Sequence, residues 1–215
     1  LLQPSRVELP EVGKPQYPDR WGDISTMTIS YGHGISVSPL QLAGAVGALV
    51  NGGKRMPLSL LKHRSSKPPI GTRVLSEKTS QQMRELMRLA VTNGTGKKAA
   101  AQGYLVGGKT GTAEKQVNGG YVKKSLMSSF VGAFPIDRPR YVILTMLDEP
   151  KGTERTFNYA TGGWVAAPIV SRLVSRMASL LGILPRSKEA PNIELKAIKP
   201  RLASLGLKPL SGEGR

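Results

Sequence analysis

The chain has 215 residues, with 31 Lys and Arg against 14 Asp and Glu and a formal net charge of +17, which allows one domain or a large part of one. With no Cys and two His, it is expected to hold no disulfide, no thiolate or His-based metal site and no cofactor. The charge invites a nucleic-acid reading, but the excess lies in residues 54–100 and after residue 161, and aromatics make up only 5% of the chain without basic-aromatic interleaving. A solvated basic surface, facing anionic lipid or wall polymer, fits this distribution better than a nucleic-acid partner.

No run approaches the roughly 18 apolar residues of a membrane span, and no apolar h-region follows the opening Leu1, so neither span nor signal peptide is expected here. Residues 1–23 hold four prolines and little periodicity, which predicts an extended lead-in. Residues 24–36 place β-branched and hydroxyl side chains around a Tyr31-Gly32-His33-Gly34 turn, whose glycines mark backbone that bends or is closely approached. His33, alone in a Gly turn, reads as a surface residue rather than a base. Ser38-Pro39 starts a helix, with Ser38 as N-cap and Pro39 at its first position; Leu40, Ala43, Val46 and Val50 give it an apolar face and Asn51-Gly52-Gly53 stops it.

Residues 56–62 read as a short strand containing Ser59-Leu60-Leu61-Lys62. This formally fits Ser-x-x-Lys, a nucleophile motif that needs a helix to bring both side chains to one face. A strand sends them to opposite faces, and Pro57 together with Pro68-Pro69 leaves no room for a long helix. Ser76 is expected to cap a further helix bearing Met83, Leu86, Met87 and Ala90 and ending at Asn93-Gly94. A small-residue loop with Lys97-Lys98 follows.

Tyr104-Leu105-Val106 then leads into Gly107-Gly108-Lys109-Thr110-Gly111-Thr112, which reads as a strand beside a cleft. Lys109 and Gly111 share one face, Thr110 and Thr112 the other. Gly111 leaves room for another backbone beside the lysine. A fixed cation, threonine hydroxyls and exposed peptide N–H groups suit an anionic, peptide-like ligand. Asn118-Gly119-Gly120 signals a hairpin. Residues 128–134 form the next strand, 135–139 a turn, and 140–147 a third strand, whose Tyr141-Val142-Ile143-Leu144 predicts burial on both faces. Residues 148–161 make a charged loop. A final helix carries Val165, Ile169, Val170, Leu173, Val174, Met177, Leu180 and Leu181 at helical spacing, as core. Residues 185–215, with four prolines and no aromatics, read as a flexible basic tail. The pattern is α+β: helices, a three-stranded antiparallel meander, and a helix returning over the sheet.

Gly108-Lys109-Thr110-Gly111-Thr112-Ala113-Glu114-Lys115 resembles the third signature of the penicillin-binding proteins and serine β-lactamases. Tyr31-Gly32-His33-Gly34 through Ser38-Pro39-Leu40-Gln41-Leu42-Ala43, and Gly162-Gly163 followed by Ala167-Pro168, extend the match. In order and spacing the three resemble class B penicillin-binding proteins of the septal cell-division type, over residues 21–184. No credible Ser-x-x-Lys is present, and Thr156-Phe157-Asn158 fits the second signature only loosely and in the wrong order. The resemblance therefore implies the C-terminal half of a transpeptidase domain, residues 24–184, with its sheet covered by helices and its partner the N-terminal half of the same domain.

That resemblance further implies a peptidoglycan D,D-transpeptidase in the parent, cross-linking stem peptides, acylated by β-lactam antibiotics and working with divisome proteins. The parent would sit on the periplasmic face of the inner membrane through an N-terminal anchor. Lys109 and Thr112 would carry catalytic roles, the lysine as positive potential and the Thr112 N–H as an oxyanion donor. Thr110, Gly111 and Thr112 would bind substrate, while Tyr31, Gly32 and Gly34 would shape the cleft wall. A non-catalytic divisome module of the same fold and a serine β-lactamase relative are the alternatives.

Overall fold

The computed structural model describes residues 1–62, 69–117 and 120–186, with side chains at 116–117 and 120–124 left aside. The chain falls into two compact units, Leu1–Gln81 and Gln82–Arg215. In the first, residues before 23 lack regular structure apart from a bridge between Gln16 and Ser36. A helix, α1 (Asp23–Ser30), follows, where the sequence suggested none. Its β-branched and hydroxyl residues are poor helix formers, and none is buried. Their hydroxyls bond backward instead, Thr28 Oγ1 donating to the Ile24 carbonyl at 3.0 Å and Thr26 Oγ1 to Gly22 at 3.2 Å. Gly32 and Gly34 stand at φ 94° and 83°, so the predicted bend is real and strongly favours glycine.

Helix α2 (Pro39–Val50) begins as its sequence demands: Ser38 accepts from the Gln41 N–H, and the Gln41 side chain accepts from the Ser38 N–H, a reciprocal capping box. Buried Gln41 also donates to the carbonyls of Leu1 and Gln3, which fixes the start of the chain. Gly52 and Gly53 adopt positive φ past the helix end.

Residues 56–62 do not form the expected strand. Among the described residues, a two-residue pair, β1 (Lys54–Arg55) with β2 (Thr72–Arg73), is all the sheet found there. Pro57 removes a ladder donor, and Glu8 captures the segment by accepting from Ser59 Oγ at 2.6 Å and the Leu60 N–H at 2.9 Å. Those two bonds hold the Glu8 carboxyl below its ordinary value, the Ser59 bond contributing most. Ser59 and Lys62 therefore lie on no helix, though for a different reason than strand alternation. Of the run Lys67-Pro68-Pro69, only Pro69 falls within the described residues.

Helix α3 (Glu77–Thr92) starts where Ser76 Oγ accepts from the Thr79 N–H at 3.0 Å. Met87 and Val91 are buried and Leu86 is exposed, so the inward face lies one position over from the expected one. In the second unit, β3 (Gly107–Val117), β4 (Gly120–Phe134) and β5 (Tyr141–Asp148) form an antiparallel meander in the order β3-β4-β5. β4 begins eight residues earlier than the apolar run suggested, because its pairing with β3 continues out to Val117↔Gly120; the turn residues 118–119 lie outside the described set. Tyr141 to Leu144 are half-buried rather than covered on both faces, as befits an edge strand; the buried position of β5 is Thr145.

The returning helix is broken in two, α4 (Gly162–Val165) and α5 (Ala167–Leu180), at the residues before Pro168. Proline cannot supply a donor to the preceding turn. The core comprises Val91, Ala99, Val106, Phe130, Phe134, Ala166, Val170, Val174, Ala178 and Ile183. Leu180, expected inside, is 86% exposed. Within the segment read as tail, the Arg186 N–H donates to Gly103 O at 2.8 Å, and its guanidinium pairs with Asp137. The remainder, 187–215, is outside the described residues. Among the described residues no helix is long and apolar enough to cross a membrane.

Candidate active site

The Lys109 strand is positioned from three sides. At its entry, Arg88 of α3 donates to the Val106 carbonyl at 2.8 Å, and burial lowers that guanidinium's pKa. Gly107 and Gly108 leave no alternative to glycine: a Cβ would fall 2.5 Å from Ile136 Cγ1 at the first and 2.4 Å from Phe130 Cζ at the second. Along one edge β3 pairs with β4 in the register Lys109↔Val131, Gly111↔Ser129, Thr112↔Ser128. Gly111 sits under Ser129, whose Oγ would lie 2.5 Å from an added Cβ, so the space the sequence reading assigned to another backbone is filled by a β4 side chain.

The opposite edge of β3 has no strand partner among the described residues. The Gly107 carbonyl faces β4 at Gly132, and the Gly111 carbonyl accepts from Ser129 Oγ at 3.5 Å. Antiparallel alternation then turns the peptide groups of Thr110 and Thr112 toward the open edge. Lys109 is exposed, and its ammonium donates to the Thr110 carbonyl at 2.8 Å.

The Thr110 and Thr112 side chains share the other face, as predicted, and meet α4 there. The Gly162 N–H donates to Thr112 Oγ1 at 3.0 Å, and Thr110 Oγ1 lies 2.8 Å from Thr95 Oγ1. This approach depends on Gly162 and Gly163. A Cβ at Gly162 would sit 2.2 Å from the Ser129 carbonyl and 2.5 Å from that of Gly111, and one at Gly163 would sit 2.6 Å from the Thr95 carbonyl. Two hydroxyls that sequence reasoning passed over complete the clamp. Buried Ser128 donates to the Ala160 carbonyl at 2.6 Å, and Thr145 to Ala166 at 3.2 Å. Each strand of the sheet thus grips α4 or a residue flanking it with one hydroxyl.

Beside α4 an aromatic cluster was also missed. Trp164 stacks on Tyr159 at 5.6 Å and meets Phe157 edge-on at 5.5 Å, with Lys98 Nζ 4.2 Å from its ring centre. Only the strictly alternating part of the chain could have announced these contacts, and Phe157, at φ 51°, belongs to an irregular loop. Tyr31, Gly32 and Gly34 lie in the first unit, where Tyr31 is exposed and its ring stands 6.4 Å from that of His33. Among the described residues no three carboxylates, imidazoles or thiols converge on a possible metal position.

A family profile described as the penicillin binding protein transpeptidase domain matches residues 3–175. The chain belongs to this family. It is 44% identical over 192 residues to a protein of Caulobacter vibrioides named as a probable peptidoglycan D,D-transpeptidase, FtsI, covering 85% of this chain and 33% of that one. It is 37% identical over 181 residues to the stage V sporulation protein D of Bacillus subtilis, covering 80% and 27%. Among solved structures, the transpeptidase domain of Burkholderia pseudomallei penicillin-binding protein 3 superposes with a TM-score of 0.78 at 38% identity, over 89% of this chain and 56% of that one. Penicillin-binding protein 3 of Mycobacterium tuberculosis, solved with ampicillin, gives 0.78 at 28% identity over 91% and 46%. The chain spans about a third of the length of the curated relatives it matches. The α+β transpeptidase fold expected from the strand signature is the fold these penicillin-binding domains share with it.

Proposed function

We propose that this chain supplies the Lys-Thr-Gly wall of the acylation site in a septal peptidoglycan D,D-transpeptidase, a longer protein in which the nucleophilic serine lies outside these 215 residues. The observation that carries the reading is the open edge of β3: the peptide groups of Thr110 and Thr112 and the exposed Lys109 ammonium, which donates to the Thr110 carbonyl, lie along it, and the two threonine hydroxyls stand on the adjoining face against Gly162 and Thr95. A carboxylate accepts from hydroxyl and ammonium donors, and an extended peptide adds along an unpaired strand edge.

In this reading the serine oxygen attacks the penultimate D-Ala carbonyl of a stem peptide while its proton passes to a base. The oxyanion that forms accepts from the Thr112 N–H and from the serine's own N–H. Collapse breaks the peptide bond, the terminal D-Ala amine takes a proton and leaves, and an amine of a neighbouring stem peptide then attacks the ester. Losing one oxyanion donor typically costs about 2.7–4 kcal/mol of transition-state stabilisation. Thr110 and Thr112 hold the substrate carboxylate, and Gly111 between them leaves room for the Ser129 side chain that packs over the strand. Lys109 supplies positive potential to that carboxylate and to the proton transfers. Tyr31, Gly32 and Gly34 shape a wall of the cleft. β-Lactams acylate the same serine. The parent is placed on the periplasmic face of the inner membrane by an anchor outside this chain and works with divisome proteins.

Labelling with a fluorescent penicillin, followed by peptide mass spectrometry, tests the reading. The intact protein should carry one acyl group on a serine outside this segment, and the 215-residue chain alone should carry none. An adduct on Ser59 or any other serine of this chain would overturn the assignment. An intact protein that stays unlabelled would point to a non-catalytic module of the same fold.

A further inference from the structure

Two large aromatic rings stand in solvent on the loop that leads from β5 into α4. Phe157 is 71% exposed and Tyr159 56%, although each carries enough apolar surface to reward burial. Both lean on half-buried Trp164, Tyr159 stacked at 20° and Phe157 edge-on at 77°, and the Lys98 ammonium adds a further contact to that indole. Trp164 is thus the support, and the two outer rings are the surface offered.

The loop that carries them is fixed at a cost. Phe157 and Asn158 stand at φ 51° and 60°, a region that a bulky side chain such as Phe enters only when its surroundings impose it. The Phe157 and Asn158 N–H groups donate to the Glu154 and Thr153 carbonyls at 3.0 and 2.9 Å, and the Tyr159 N–H donates to Thr156 at 2.9 Å. Gly152 closes the loop, where a Cβ would fall 2.1 Å from the Asn158 carbonyl oxygen. Ser128 Oγ donates to the Ala160 carbonyl and ties the far end to β4, and the Gly162 N–H that follows holds Thr112. The rings are therefore held beside the Lys109 strand rather than left free to fold inward.

The size and chemistry of the patch select its ligand. Two aromatic residues bury at most about 150–250 Å² each, well short of the roughly 800 Å² per partner that a stable protein contact takes. A sugar ring fits better, because a pyranose has a face of C–H groups that lies flat on an aromatic ring and a rim of hydroxyl and amide groups. The exposed Asn158 amide between the two rings and the Tyr159 hydroxyl can serve such a rim. We propose that Phe157 and Tyr159 form a saccharide subsite, taking N-acetylated hexopyranose rings of the glycan strand that bears the stem peptide. The proposal rests on the transpeptidase reading and gives that site a hold on the polymer besides its hold on the peptide. Such a hold raises the local concentration of the tethered stem at the cleft.

Calorimetric titration of the intact protein with chitotetraose, an oligomer of N-acetylglucosamine, tests this. The wild type should bind it, Tyr159→Ala and Phe157→Ala should each weaken the dissociation constant about tenfold, and Tyr159→Phe, which keeps the ring, should stay within about threefold of the wild type. Acylation by benzylpenicillin, which carries no sugar, is read beside the titration and should run at the same rate in all four proteins. A wild type that ignores chitotetraose would leave the rings to a protein partner and overturn the proposal. Undiminished binding by either alanine variant, failure of Tyr159→Phe to keep the affinity, or acylation lost in step with sugar binding would overturn it as well. A wild-type enzyme that penicillin does not acylate would overturn the underlying reading instead.

Discussion

Gly162 is the residue on which the geometry of the threonine pair turns. Its N–H reaches Thr112 only because no side chain separates it from the carbonyls of Ser129 and Gly111, at 2.2 and 2.5 Å from a notional Cβ. Backbone on both sides leaves nothing flexible to give way. Gly162→Ala should therefore destabilise the intact protein by about 1–3 kcal/mol or more, the cost of overpacking, and weaken penicillin binding along with it; a thermal melt and an acylation time course read the two effects. An unchanged melt would mean that α4 can lift from the sheet without cost. The sequence marked Gly162-Gly163 as part of a pattern, but their physical reason is close approach to the backbone of Ser129, Gly111 and Thr95, far away in the chain, which no local period encodes. Lys109, Thr110 and Thr112 were legible because strand alternation alone sorts their faces. Thr95, Ser128 and Thr145 were not, since a lone hydroxyl in a loop or strand looks the same whether or not an acceptor waits across the fold.

At the level of elements, local signals succeeded where local physics decides. The Ser38 cap of α2 and the Ser76 cap of α3 formed as read, and Ser38→Ala should cost about 1 kcal/mol in urea denaturation. α1 and residues 56–62 went otherwise because hydroxyl back-bonds and the Glu8 carboxylate, contacts invisible to propensity, decide them. The outer ends of β3 and β5 are joined by a charged network: Lys115 Nζ lies 2.9 Å from Asp148 and 3.1 Å from Glu149, which also accepts from Ser125 Oγ at 2.6 Å. The Ser125 bond first, then Lys115, holds the Glu149 carboxyl below its ordinary value of 4.5. A carboxyl whose pKa is depressed on folding stabilises the protein above its unfolded value, and that contribution is lost as pH falls through the folded value. Asp148 chiefly, with Glu149, raises the Lys115 pKa above 10.5, so its share persists below 10.5 and disappears as pH rises beyond the folded value. Glu149→Gln should accordingly flatten the fall in urea midpoint below pH 4.5 relative to wild type; parallel acid limbs would show that the network does not couple to folding.

For the molecule as a whole, composition marks a change of character at Pro185, and the described contacts run as far as Arg186. Ile183 is buried, and Arg186 is tied to Gly103 and Asp137, so truncation after Leu181 should lower the melting temperature of the intact protein well below that of truncation after Arg186. Equal melts would remove Ile183 and Arg186 from the account of the core. Phe130, fully buried beneath Gly108 and Gly96, links that core to the site, and Phe130→Ala should cost about 3–5 kcal/mol. In the proposed reading the chain contributes charge and donors on one strand edge rather than a nucleophile. The most direct measurement is stopped-flow acylation of the intact enzyme by a β-lactam with Lys109→Ala, beside its melting curve. Acylation should slow at least about tenfold, the factor that about 1.4 kcal/mol of lost transition-state stabilisation represents, with an unchanged melt; acylation at the wild-type rate would show that Lys109 does not serve the site.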